Sequence, residues 1–235
     1  MRSGVINTGG GADIDLRLSV EHRPDLGLIL AQWQPPLTNV GDPASCVEGG
    51  TCDLRFDESL PLRRRPPIIE PAAGALAIQE AFERAEWLSQ SGNPAAYAPH
   101  LRAEPLAGLK PKAVLFQMAR GDRTVPNPST TAVLRAGRLA NATTLYRHDL
   151  VFGDPSRPGS DVDDSHPFLF FGFFPGPSDI GLGAQRQMAE FPASEGRVFI
   201  DPDGAGPVFE VPIASPLPED CGFVGELPPG FTACR

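Results

Sequence analysis

Ala113-Val114-Leu115-Phe116-Gln117-Met118, followed at once by Ala119-Arg120-Gly121-Asp122-Arg123-Thr124-Val125-Pro126, is the stretch on which the fold turns. The first six residues form a near-continuous apolar run of strand length, which suits a strand buried on both faces and therefore a parallel sheet. Gly121 lets the chain bend sharply, Asp122 stands at the tip of that bend, and Val125-Pro126 sets the way out. Asn127-Pro128-Ser129-Thr130 reads as a helix start leading into residues 131–139, and residues 143–152 are β-like again. Strand, helix and strand in that order make a βαβ unit, with parallel strands and a right-handed crossover expected.

Upstream, residues 4–8 read as a short buried strand running into Gly9-Gly10-Gly11, and residues 12–34 as two short helices interrupted by Pro24. Residues 35–73 carry seven prolines and the first cysteine pair, which marks an inserted excursion and not a core layer. The best helix covers 75–89, where Leu76, Ile78, Ala81, Phe82, Ala85 and Leu88 make one apolar stripe. Downstream, residues 153–179 form a Pro/Gly/Asp loop enclosing Phe168-Leu169-Phe170-Phe171, and a helix over 183–191 follows. β-formers on either side of Asp203-Gly204-Ala205-Gly206 predict a carboxy-terminal β-hairpin. The fold class is α/β: about three core strands in a parallel sheet, with flanking helices.

Composition narrows the function. With 27 Pro and 25 Gly among 235 residues, a helical bundle or coiled coil is ruled out as the main architecture. A net charge of −9 argues against nucleic acid as a partner, because phosphate binding draws on clustered Lys and Arg. The single basic run, Arg63-Arg64-Arg65, precedes two prolines and reads as a solvated loop. No apolar stretch approaches the roughly 20 residues that span a bilayer, and the first residues lack a signal-peptide core. Cys46 with Cys52, and Cys221 with Cys234, are sequence-local pairs open to two readings, small disulfide loops or free thiols. The first would favour an extracellular or periplasmic setting.

In parallel sheets, function gathers in the loops beyond the carboxyl ends of the strands. One such loop holds Asp122; the next leads to Ser165-His166-Pro167, so that acid and imidazole are expected on one edge of the sheet. A carboxylate that fixes an imidazole, and an imidazole that takes a proton from a nucleophile, are what acyl transfer needs. His148 is a competing base, but it falls within the predicted strand; His22 and His100 read as loop or surface residues. Asp161, Asp163 and Asp164, like Asp201 and Asp203, lack EF-hand spacing and read as turn formers. Phe168, Phe170, Phe171, Phe173 and Phe174 either line an acyl pocket beside His166 or form core beneath the loop.

Gly121-Asp122-Arg123-Thr124-Val125-Pro126 after one strand, and His166 after the next, resemble the carboxy-terminal half of an α/β-hydrolase, the esterase and lipase superfamily, and within it bacterial lipase-type proteins. The resemblance covers residues 1–195, leaving 196–235 as hairpin and tail. It implies Asp122 as the triad acid, His166 as the general base, residues 35–73 as a lid-like insertion, an apolar acyl ester as substrate, and no cofactor or metal. The chain departs from the pattern in one respect: no serine stands in Gly-x-Ser-x-Gly, Ser91 follows a helix, and no His precedes Gly9-Gly10-Gly11. The expectation is a carboxy-terminal portion of a serine ester hydrolase that is inactive by itself because the nucleophile elbow lies elsewhere. A sheet remnant of this kind is also expected to self-associate. The alternative is a non-catalytic secreted or surface module that binds an apolar partner on a hydrolase-like scaffold.

Overall fold

Residues 113–119 have no polar face to offer water, and in the computed structural model all of them but Ala113 are buried. The structure describes residues 3–11 and 75–218, together with residues 16, 17, 19, 22, 29, 38–39 and 55–56. Both cysteine pairs, almost all of the Pro-rich 35–73 segment and the two helices expected over 12–34 lie outside the described residues, apart from those isolated positions. The chain divides into two units, Met1–Val20 with Gly92–Arg235, and Glu21–Ser91.

The larger unit is built on a four-stranded, mostly parallel sheet. Strand β1 (Ser3–Asn7) pairs in parallel with β4 (Ala113–Ala119), β4 pairs in parallel with β5 (Thr143–Tyr146), and β6 (Phe209–Glu210) adds to β5 antiparallel. Successive side chains of a strand point to opposite faces, so β4 and β5 feed two cores. On one face Phe116, Met118 and Leu145 pack with Val133 and Leu134 of helix α3 (Asn127–Gly137) and with Ala98, next after the short helix α2 (Pro94–Tyr97). On the other, Ala119 and Tyr146 pack with Ile180 and Ala184 of helix α5 (Ser178–Ala193), with Phe168 and Phe171, and with Phe209. Helices on both faces of a mostly parallel sheet make an α/β architecture.

Gln117 interrupts the apolar run, yet it is fully buried. Its amide donates to the Ala184 carbonyl at 3.0 Å and to Gln187 Oε1 at 2.9 Å, and its own oxygen accepts from Asn7 Nδ2 at 3.2 Å. Gln187 in turn donates to Thr144 Oγ1 and to the Ile200 carbonyl. A buried amide is tolerated only with its partners in place, so this network fixes the register of α5 on the sheet.

In the smaller unit, β2 (Thr38–Asn39) and β3 (Arg55–Phe56) form a short antiparallel pair. Helix α1 spans Ala75–Ser89, as its apolar stripe predicts, with Ile78 and Ala81 buried. Among the described residues no helix is long and apolar enough to cross a membrane.

Three elements differ from the sequence reading. The strand expected over 143–152 ends at Tyr146, and a helical turn, α4 (His148–Val151), follows. His148 and Val151 are buried while Asp149 and Leu150 between them are not, a helical spacing and not an alternating one. Helix α5 starts five residues earlier than predicted because Ile180, Ala184, Gln187 and Phe191 extend one buried stripe along it. The two arms expected of a carboxy-terminal hairpin do not pair with each other: residues 197–200 carry no strand, and Phe209–Glu210 join β5 instead. Asp203 accounts for this. Its Oδ2 accepts from the Val208 N–H at 2.8 Å and its carbonyl from the Gly206 N–H at 3.2 Å, which closes a local turn and sends Phe209 onto Tyr146.

Candidate active site

The exit from β4 is shaped by two side chains and one glycine. Gly121 sits at φ 80°, in the left-handed region where a Cβ would be strained, and this reverses the chain immediately after the strand. Asn127, at the head of α3, closes the bend: its amide donates to the Ala119 carbonyl at 2.7 Å and its oxygen accepts from the Gly121 N–H at 2.8 Å. Asp122 lies between them with 2% of its surface exposed. Oδ1 accepts from the N–H groups of Thr124 at 3.0 Å and Val125 at 2.6 Å, leaving Oδ2 to face outward from its own loop.

The exit from β1 comes to the same place. Gly10 passes so close to α3 that a Cβ there would meet Val125 Cγ1 at 2.7 Å and Ser129 Oγ at 2.9 Å. The Gly11 N–H donates to Ser129 Oγ at 2.7 Å. The glycines are thus spacers that let the first strand's loop lie against the Asp122 loop.

His166 arrives from the long connection after β5. It opens a short 3-10 helix, His166–Phe170, whose Phe168 and Leu169 are buried and anchor the turn to the core. Ser165 is fully buried, and its hydroxyl donates to the Arg120 carbonyl at 3.0 Å, tying the turn to the β4 exit. His166 Nδ1 lies 3.0 Å from Asp122 Oδ2. The two residues singled out from sequence therefore meet. With Nδ1–H donated to the carboxylate, Nε2 is left as the basic nitrogen; it makes no hydrogen bond to any described residue, and the side chain is 30% exposed.

Electrostatics favour a protonatable ring held by a buried acid. Burial disfavours the imidazolium, yet the hydrogen bond and charge of Asp122, joined by the charge of Asp164, outweigh it and hold His166 above the ordinary histidine value. Burial raises the Asp122 carboxyl, against the opposing pull of His166 and of the Val125 N–H. A buried carboxylate against one nitrogen of a partly exposed ring, with the other nitrogen bonded to no described residue, can take a proton from a hydroxyl and return it to a leaving group. Among the described residues no serine hydroxyl bonds to the ring.

His148 is not such a base. It stands just after β5, but it is buried, and both ring nitrogens are engaged, one with the Tyr146 hydroxyl at 3.1 Å and the other with the Val162 carbonyl at 2.8 Å. The phenylalanines divide: Phe168 and Phe171 are core, whereas Phe170, Phe173 and Phe174 are exposed, Phe173 by 83%. Asn127, Thr124 and Asp164 were not singled out as site residues by sequence. For Asp164 a signal existed, since Asp two residues before His166 can bond its N–H in an Asx turn, as it does at 3.0 Å.

Comparison with protein-family models, with curated proteins and with solved structures finds no match. What the site can do is therefore decided by its own geometry.

Proposed function

We propose that this chain supplies the acid and the base of a serine ester hydrolase of the esterase and lipase type, on a partial α/β-hydrolase-like sheet, with Asp122 orienting His166. The observation that carries the reading is the 3.0 Å contact between Oδ2 of a buried carboxylate and Nδ1 of an imidazole whose Nε2 bonds no described residue. Both groups sit in loops that follow parallel strands, where α/β sheets place their chemistry. The substrate class is an apolar acyl ester, and Phe170, Phe173 and Phe174, exposed a few residues beyond His166, offer apolar surface for its chain.

No serine of the sequence stands in Gly-x-Ser-x-Gly; on this reading the chain acts as a carboxy-terminal portion and the nucleophile comes from another segment. An acid and base without a nucleophile form no acyl-enzyme. Residues 1–235 alone are expected to show no turnover of p-nitrophenyl butyrate that a serine-directed phosphonate abolishes. The reading frame upstream of Met1 is expected to encode a strand, Gly-x-Ser-x-Gly and a helix. In the protein bearing that segment, burst kinetics should appear, and Asp122→Asn should lower kcat by roughly four orders of magnitude by stabilising the wrong tautomer. Phosphonate-sensitive turnover by residues 1–235 would remove the missing-nucleophile step. Full activity of Asp122→Asn would remove the reading itself.

The exposed phenylalanines also support a second reading, a non-catalytic module that binds an apolar partner. It predicts apolar binding that survives His166→Ala and is lost when Phe173 and Phe174 become serine, with no turnover in any longer form of the chain.

A further inference from the structure

Asp122 and His166 lie 44 positions apart, in loops that follow successive strands. The Asp122 loop is held at its base by Gly121 and Asn127, and the His166 turn by its buried Phe168 and Leu169. Neither anchor spans the gap between the two. Ser165 ties the turn to the Arg120 carbonyl, ahead of the bend, and Asp164 reaches the backbone beyond it. Asp164 Oδ1 accepts from the Arg123 N–H at 2.9 Å and from the His166 N–H at 3.0 Å, and its Oδ2 accepts from Thr124 Oγ1 at 2.8 Å. A single carboxylate thus bonds both residues that follow Asp122 and the backbone of His166 itself.

We propose that Asp164 is the positioning residue of the Asp122–His166 pair, clamping the acid's loop to the base's turn so that Nδ1 meets Oδ2. The proposal rests on the reading of those two residues as acid and base, and it assigns Asp164 no contact with substrate. Hydrogen bonds to a charged acceptor are among the strongest a loop can make, and three from two segments restrict both translation and rotation of the turn. Asp163, next in sequence, plays no such part: it is exposed and meets the Arg123 guanidinium at 3.4 Å. The charged groups that bear on the ring are Asp122, from the β4 exit, and Asp164, from the ring's own turn.

The test is NMR of the full 235-residue chain with nitrogen-labelled histidine, following the Nδ1 proton and the titration of His166. Wild-type protein should show a protected, downfield Nδ1 proton. Asp164→Ala should lose it to exchange while the melting transition persists, and Asp163→Ala should keep it. Asp164→Asn retains an acceptor for the two N–H groups but not the charge, so it should keep the proton and titrate at lower pH than wild type. An Asp164→Ala protein that keeps the proton and the wild-type titration overturns the proposal. Should Asp164→Ala fail to fold, Thr124→Val, which removes one of the three bonds to Asp164, decides, and an Nδ1 proton as protected as in wild type overturns it. The acid–base reading fails separately: wild-type protein would then show no Nδ1 proton, and Asp122→Asn would leave the His166 titration where it was.

Discussion

His148 shows how partners decide what a histidine does. A carbonyl can only accept, so Nε2, facing the Val162 carbonyl, must carry the proton, and Nδ1 is left to accept from the Tyr146 hydroxyl. Burial lowers the pKa of His148 from 6.5, against the opposing pull of the Val162 carbonyl and the nearby aspartates. The unfolded chain therefore binds a proton where the folded chain does not, and stability from this residue is complete above 6.5 and declines as pH falls below it. His166 has the opposite sign: its raised value contributes stability that is present below 6.5 and lost as pH rises through its folded pKa. Thermal melting from neutral to mildly acid pH should accordingly show wild-type protein losing stability relative to His148→Gln, and His166→Ala steepening that decline. Equal pH slopes in wild type and His148→Gln would contradict the assignment. Tyr146→Phe removes the donor to a buried ring nitrogen and should cost about 1–3 kcal/mol in urea unfolding, the usual penalty of an orphaned buried group.

Between elements, the closest approach that matters to the site is helix α5 against the His166 turn. Gly181 is buried where a Cβ would collide with the Phe171 carbonyl, so the helix can lie on that turn only without a side chain there. Gly181→Ala should destabilise the protein by about 1–3 kcal/mol, the range for overpacking against a backbone that cannot yield. The displaced turn should also lower the protection of the His166 Nδ1 proton, which separates this effect from a general loss of stability. On the opposite side of the site the lever is Gly121, whose φ of 80° makes Gly121→Ala strained by about 1–2 kcal/mol. Denaturant midpoints check both, and an unchanged midpoint for either would mean that the backbone there relaxes. Strand β6 is held by charge: Arg147 bonds Asp149 through two nitrogens and Glu210 through the third. Burial opposes the Glu210 charge, but bonds from Ser215, the Ala214 N–H and Arg147 hold its pKa down at about 2.

For the whole molecule, the sheet order leaves β1 bonded on one side only among the described residues, since β4 is its single neighbour. An unpaired parallel edge is a template for another strand. Residues 1–235 are predicted to self-associate, with a weight-average mass in sedimentation equilibrium that rises with protein concentration. A monomer that melts cooperatively at every concentration would count against an open edge.

The sequence alone determined the features that depend on near neighbours. The apolar run 113–118, the glycine bend carrying Asp122, and the stripe over 75–89 are legible because strand burial, turn chemistry and helix period act over a few residues. Only the tertiary structure decided that Nδ1 of His166 meets Oδ2 of Asp122, that Asp164 bridges their segments, and that Gln117 is completed by Gln187. It alone also gave Phe209–Glu210 to β5, where local alternation pointed to a hairpin. Those outcomes join residues far apart in the chain, and they follow from which faces pack and which buried polar atoms must find partners, quantities that no short window of sequence contains.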